Sequence, residues 1–230
     1  MFLKFFKKIQ ILFQGTALLL SGCGNQGFMT SIAHDTGFKE FLESKNRKPL
    51  DYAKVRTIPY ASMSVQLGDN PQAVLILAYV AGNEQQWHSA NHEMLVFNRG
   101  QINRTFGLSN DLEQVIYQQG FNPLKHPLSS IDTLTSSKGI ISFSSNQKSA
   151  IPFTTQFEKV AVETVAVAGN KLNLLKIKQT LDVPQLNWHV TNFFWIDPRN
   201  DQVLKAIQNT APGLEPITIE IIKPYVQATT

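Results

Sequence analysis

Tyr60-Ala61-Ser62-Met63-Ser64-Val65-Gln66-Leu67 is the stretch that sets the fold. Ala61, Met63, Val65 and Leu67 alternate with Ser62, Ser64 and Gln66, the two-residue period of a half-buried strand, whereas an amphipathic helix repeats its apolar positions every 3.6 residues. Tyr60 is the exception, an apolar ring on the polar side. Gly68-Asp69-Asn70-Pro71 then makes a turn, and residues 73–80 (AVLILAYV) form a continuous apolar run of strand length. The pattern repeats onward. Residues 93–98 and 101–106 flank Arg99-Gly100 as a hairpin candidate. Residues 140–143, 153–157, 159–167, 171–180, 189–196, 202–208 and 217–222 read as further strands, punctuated by Gly169-Asn170 and by the turn Asp197-Pro198-Arg199-Asn200-Asp201. About ten short strands at near-regular spacing predict a mainly β protein, either an antiparallel β-sandwich or an open barrel, with one or two short helices. One helix is expected over 36–45 from Phe38, Phe41 and Leu42. A second is expected from Asn110 to Gly120, with Asn110 as cap, Glu113 in capping-box position and Leu112, Val115 and Ile116 as the apolar stripe.

Composition sets limits on function. A chain of 230 residues with 43% hydrophobic and 17% charged side chains is too apolar to be disordered and large enough for one sizeable core. No run of about 20 apolar residues is present to span a bilayer as a helix. The formal charge of +4 owes three units to Lys4, Lys7 and Lys8. Without residues 1–22, which hold no acid, 18 basic side chains face 17 acidic ones, a net of +1. Such a near-neutral surface offers little counterion release, so no nucleic-acid partner is expected.

The first 22 residues read as an export signal. Three lysines precede a mostly apolar run at 9–20 (IQILFQGTALLL), which is signal-peptide order and too short to cross a membrane. Leu20-Ser21-Gly22-Cys23 resembles the bacterial lipobox, in which cleavage before the cysteine is coupled to its acylation. The resemblance implies lipidation of Cys23, with acyl chains contributing about 0.8 kcal/mol per buried CH₂ to membrane attachment. Cys23 is also the single cysteine, so no internal disulfide can form. Gly24 stands where an Asp would favour retention in the inner membrane, which points to the outer membrane. The division that follows is a lipoprotein signal peptide at 1–22, a lipidated tether at 23–35 and a single β-rich domain at 36–230. The string Gly22-Cys23-Gly24-Asn25-Gln26-Gly27 matches a dinucleotide-binding fingerprint by letter, but it straddles the cleavage site and follows no strand.

Catalytic constellations are sparse. The chain carries no G-x-S-x-G elbow, Walker A loop, H-E-x-x-H string or cysteine pair. His88 and His92 would suit a metal only on a helix. On a strand they stand roughly 13 Å apart, so no metal site is expected there. Asp197 and Asp201 bracket a turn whose chemistry explains them better than paired acid catalysis does. No catalytic residue and no cofactor is expected. Trp87, Trp188 and Trp195 are candidates to line a surface for a sugar or acyl chain, although strand aromatics more often fill a core. Arg99 and Arg104 are candidates for an acidic sugar or phosphate, against the simpler reading of solvated strand charges.

Several strings together carry a resemblance. Thr57-Ile58-Pro59-Tyr60-Ala61-Ser62-Met63, Trp87, Met94-Leu95-Val96, Asn98-Arg99-Gly100 and Arg104-Thr105-Phe106-Gly107-Leu108-Ser109-Asn110-Asp111-Leu112 resemble the YjbF/GfcB family of bacterial lipoproteins, as do Phe194-Trp195-Ile196-Asp197, Gln202-Val203 and the tail at 217–224. The resemblance spans about 50–224. It implies an outer-membrane lipoprotein, lipid-anchored and facing the periplasm, encoded with genes for capsule or exopolysaccharide production and export. The expected role is a non-enzymatic accessory or scaffold, with polysaccharide export proteins or the polysaccharide itself as partners. The alternatives are a carrier that shelters an acyl or polyprenyl chain in an apolar barrel cavity, and a polysaccharide-modifying hydrolase.

Overall fold

The computed structural model describes residues 49–145 and 149–226. The signal peptide at 1–22, the tether at 23–35 and the helix expected over 36–45 lie outside the described residues. The elements are helix α1 (Tyr52–Arg56) and strands β1 (Ser62–Leu67), β2 (Ala73–Ala81), β3 (Glu84–His88), β4 (Met94–Asn98), β5 (Gln101–Phe106), β6 (Leu112–Gly120), β7 (Leu134–Phe143), β8 (Ile151–Val167), β9 (Asn170–Val183), β10 (Trp188–Asp197), β11 (Gln202–Gln208) and β12 (Ile217–Lys223).

All twelve strands join one sheet in the order β5-β4-β3-β2-β1-β12-β11-β10-β9-β8-β7-β6. Sequence neighbours pair antiparallel, and β1 pairs with β12 to tie the two halves together. The two edge strands, β5 and β6, are consecutive in sequence and meet at a seam. There the Thr105 hydroxyl donates to Asp111 Oδ1 (2.8 Å) and accepts from the Leu112 N–H (2.9 Å), while the Tyr117 hydroxyl donates to Gln101 Oε1 (3.2 Å). The sheet is therefore a nearly closed barrel, the second of the two architectures expected.

Local chemistry explains where the strands run. From Ile151 to Glu158 the burial of β8 alternates strictly between buried and exposed. A bulge between Lys159 and Ala161 breaks that alternation, so β8 is one strand where the sequence suggested two. A bulge also accounts for the correction at 110–120. The register shift between Leu112 and Gln114 inserts one residue, so Leu112 and Val115 share the inner face at a spacing of three, which mimics a helical stripe. Asn110 does not cap a helix: it donates to the Pro212 carbonyl (2.9 Å) and accepts from Ser145 N–H (3.3 Å).

The barrel interior holds the main core, in which Met63, Leu75, Trp87, Leu95 and Phe97 face Phe143, Phe153, Phe157, Ile177, Phe194 and Ile196. Each fully buried ring or branched side chain contributes about 1.5–3 kcal/mol. A polar belt crosses this core. Gln179 Nε2 donates to Thr155 Oγ1 (3.1 Å), Asn192 Nδ2 donates to Gln179 Oε1 (3.0 Å), and the Asn209 N–H donates to Asn192 Oδ1 (2.8 Å). Burial pushes the Tyr117 hydroxyl well above the usual tyrosine range beside this belt, its hydrogen bond with Gln179 opposing that. The hollow between belt and seam measures only about 30 Å³.

Two smaller clusters lie outside the barrel. Val55 of α1 packs on Val74, Ile76 and Ile222. Further round, Val167 and Leu174 pack on Trp195. The tip of the β8–β9 hairpin reaches β12, three places away in the sheet. Its Ala168 N–H donates to Glu220 Oε2 (2.8 Å), and its Ala168 carbonyl accepts from Arg56 Nη2 (2.5 Å). To make those bonds the hairpin must cross the outer faces of β10 and β11, and in doing so it covers Trp195.

Candidate functional site: the lower mouth of the barrel

In an antiparallel meander every second turn lies at the same end. The β2–β3, β4–β5 and β10–β11 turns therefore converge, and they surround a hollow of about 310 Å³. The β4–β5 turn is a two-residue loop, Arg99-Gly100, with φ of 49° and 81°. Left-handed backbone at both positions matches the twist of a hairpin, and Asn-Gly is the usual choice. Here arginine occupies the first position. Gly100 is required twice over: a Cβ there would lie 2.3 Å from a Val203 methyl, so its absence lets the turn press against β11.

That close approach sets Arg99 in the wall of the hollow. Its Nε is buried and has no hydrogen-bond acceptor among the described residues. Asn98 Oδ1 beside it is likewise buried and without a donor. Asn83, Gln85, Asn200 and Gln202 supply amides to the same wall, and Trp87 and Tyr225 supply rings. Trp87 itself is 1% exposed and spends its indole N–H on Gln85 Oε1 (3.2 Å), so it closes the floor of the hollow while belonging to the core. The rim residues Asn83, Asn200 and Asp201 are exposed. Asp201 takes its hydrogen bond from the Ser129 hydroxyl.

The turn carrying Asn200 and Asp201 is anchored by Asp197. That carboxylate accepts from the Arg199 backbone N–H (3.0 Å), Nε (2.9 Å) and Nη2 (2.7 Å), and the Arg199 guanidinium holds it below its ordinary pKa. The Asp197 carboxylate is thus occupied by the turn, as the sequence suggested, whereas that of Asp201 is engaged by Ser129 from outside it.

A second hollow, of about 710 Å³, runs obliquely over the outer face of β6 to β10. Its exposed side chains Lys138, Thr154, Gln156 and His189 alternate with buried Thr155 and Phe157, which fixes it on the outside of the barrel. His189 Nδ1 pairs with Asp182 Oδ1 at 2.6 Å. Its described lining is mostly threonine, serine and amide, with Lys138, Asp182 and His189 among them and no Trp, Tyr or Phe.

The sequence candidates do not share one surface. Trp87 and Arg99 meet at the mouth. Arg104 is exposed on β5, opposite Val96, and lines neither hollow. Trp188 packs edge-on against Phe143, with ring centroids 5.5 Å apart. Trp195 is 6% exposed under the hairpin; its indole donates to Glu163 (2.5 Å), and Lys176 stands 5.2 Å from its ring centroid. That indole bond, with Lys176 beside it, holds the Glu163 carboxyl below its usual value against the opposing effect of burial. Cys23 lies outside the described residues. At the β3–β4 turn, burial and the neighbouring His92 lower the His88 pKa, while Glu93 accepts from the Ser89 hydroxyl and is occupied there. Asn83, Gln202 and Tyr225 carried no sequence signal as site residues, although the turn at 197–201 that precedes Gln202 was readable.

The nearly closed antiparallel barrel is a known frame: the fold is similar to the crystal structure of the hypothetical lipoprotein YmcC from Escherichia coli K12, with a TM-score of 0.66 at 21% identity, covering 84% of this chain and 96% of that one. The sequence narrows the class. The chain belongs to the family described as Group 4 capsule polysaccharide lipoprotein gfcB, YjbF, whose model matches residues 35–222. It is 25% identical over 210 residues to the uncharacterized lipoprotein GfcB of Escherichia coli K12, covering 90% of this chain and 95% of that protein. It is 23% identical over 173 residues to the uncharacterized lipoprotein YjbF of the same organism, covering 75% and 80%.

Proposed function

We propose that the chain is an outer-membrane lipoprotein, held by acyl chains on Cys23 with its barrel facing the periplasm, that acts as a non-enzymatic accessory or scaffold in capsule or exopolysaccharide assembly and export. The observation that carries this reading is the family match over 35–222, a family named for capsule polysaccharide, on a chain that also bears Leu20-Ser21-Gly22-Cys23. The geometry favours it over the alternatives. A carrier needs an apolar cavity of several hundred Å³, and the described barrel interior is filled by rings and a satisfied amide belt around about 30 Å³. A glycoside hydrolase needs two carboxylates facing one bond, whereas Asp197 is held by Arg199 away from the hollow and Asp201 has no second acid beside it among the described lining residues.

Cys23→Ala with envelope fractionation tests the anchor and its purpose together. The reading expects the wild-type protein in the outer-membrane fraction with an acylated amino terminus by mass spectrometry, the variant released, and surface polysaccharide reduced. An unmodified wild-type terminus, or normal polysaccharide from a fully released domain, overturns it.

A further inference from the structure

We propose that the lower mouth of the barrel binds a carboxylate-bearing sugar unit of a polysaccharide through Arg99; this rests on the capsule reading above and names the chemical class and the place. Observations on Arg99 and on its surroundings converge on it. Arg99 holds a left-handed conformation, φ 49°, at a turn position where asparagine or glycine relieves the strain. A side chain that breaks a local rule without a structural gain marks a site where another demand is being met. Arg99 shows no such gain: it makes no ion pair or hydrogen bond among the described residues, and its Nε is buried without an acceptor. A buried donor of this kind favours a ligand that completes it, and a guanidinium completes best with a carboxylate, which it can hold through two parallel hydrogen bonds.

The rest of the hollow selects what carries that carboxylate. Asn83, Gln85, Asn200 and Gln202 offer both donors and acceptors, the match for a ring of hydroxyls, and Tyr225, 38% exposed, offers apolar area for a sugar face. Asp201 is the one acid on the wall, and its bond from Ser129 leaves the remaining carboxylate oxygen to accept from a sugar hydroxyl. A volume of about 310 Å³ sits at the small end of ligand pockets, suited to one or two sugar units and not to a long acyl chain. The exposed rim allows a polymer to enter from the side and leave again.

The test uses the full chain purified in detergent, with oligogalacturonate as the acidic probe and a galactose oligomer of equal length as the neutral one. Calorimetry is expected to show binding of the acidic oligomer at least tenfold tighter than of the neutral one. Arg99→Asn is the decisive variant because asparagine suits the left-handed turn. It should unfold no earlier than the wild type while losing at least tenfold in affinity for oligogalacturonate, and Arg104→Gln, on the outer face, should bind like the wild type. Equal binding of both oligomers, no binding of either, or undiminished binding by Arg99→Asn overturns the inference. The two proposals fail separately. Arg99-dependent binding in a protein whose deletion leaves surface polysaccharide unchanged would defeat the export role alone. A deletion phenotype without Arg99-dependent binding would defeat only the sugar site.

Discussion

Two regions of this barrel shut polar side chains away from water, and they do so in opposite ways. In the interior belt, Thr155, Gln179, Asn192 and Asn209 hand hydrogen bonds from one to the next, so donors meet acceptors within about 3 Å. At the lower mouth, Arg99 Nε and Asn98 Oδ1 are equally hidden, yet neither has a partner among the described residues. A completed network specifies which strands meet and in which register. An incomplete one leaves unpaired groups, as also at Gln101 Nε2 and Thr210 Oγ1 beside the belt, and those at the mouth stand where we propose that a ligand binds.

The contrast can be broken most severely in the belt. Asn192→Leu removes the donor to Gln179 and leaves the Asn209 N–H without its acceptor, which should cost about 2–4 kcal/mol in urea unfolding. A loss below about 1 kcal/mol would mean the belt is dispensable. Gly100→Ala comes next, since its methyl meets Val203 and its backbone is left-handed at φ 81°; a cost of about 2–3 kcal/mol is expected from the same measurement. Acid should act on the turn below the mouth. The folded-state pKa of Asp197 is depressed, so its contribution is complete above the unfolded-chain value near 4 and fades as pH falls through the lower folded value. Thermal midpoints of wild type and Asp197→Asn should therefore differ by a constant amount above about pH 5 and converge toward pH 2. The smallest effect sharpens the comparison most: Arg99→Asn should gain about 0.5–1 kcal/mol, the sign opposite to every change in the belt. A loss instead would assign Arg99 to the fold.

Much of this architecture could be read from the residues. The alternation at 60–67, the run at 73–80 and the turns Arg99-Gly100 and Gly169-Asn170 lie where strands β1, β2, β4, β5, β8 and β9 begin and end. Two misreadings share one cause, while β3 and the first half of β7 went unread. A bulge adds a residue to one strand, so Leu112 and Val115 imitated a helix, and Lys159–Ala161 split a strand in two. Single-strand periodicity contains no record of the partner against which the extra residue is counted. The site was less legible. Arg99 stood out by type, but its backbone strain, its missing acceptor and its neighbours from distant turns emerge only when alternate hairpins gather at one end. Trp195 misled in the other direction, because an outward-facing indole on β10 is hidden by the β8–β9 hairpin as its tip reaches across to β12.

The seam between β5 and β6 has a consequence for how the molecule breathes. Those edge strands are joined by side chains of Thr105, Asp111, Gln101 and Tyr117 without a backbone ladder between them. The cylinder is latched there, not zipped. Opening it releases a few clasps and leaves every rung of the other eleven pairings in place, so amide protons flanking the latch should exchange with deuterium ahead of those at the β1–β12 junction, and any guest strand seeking an unfilled edge would find its berth at that slit.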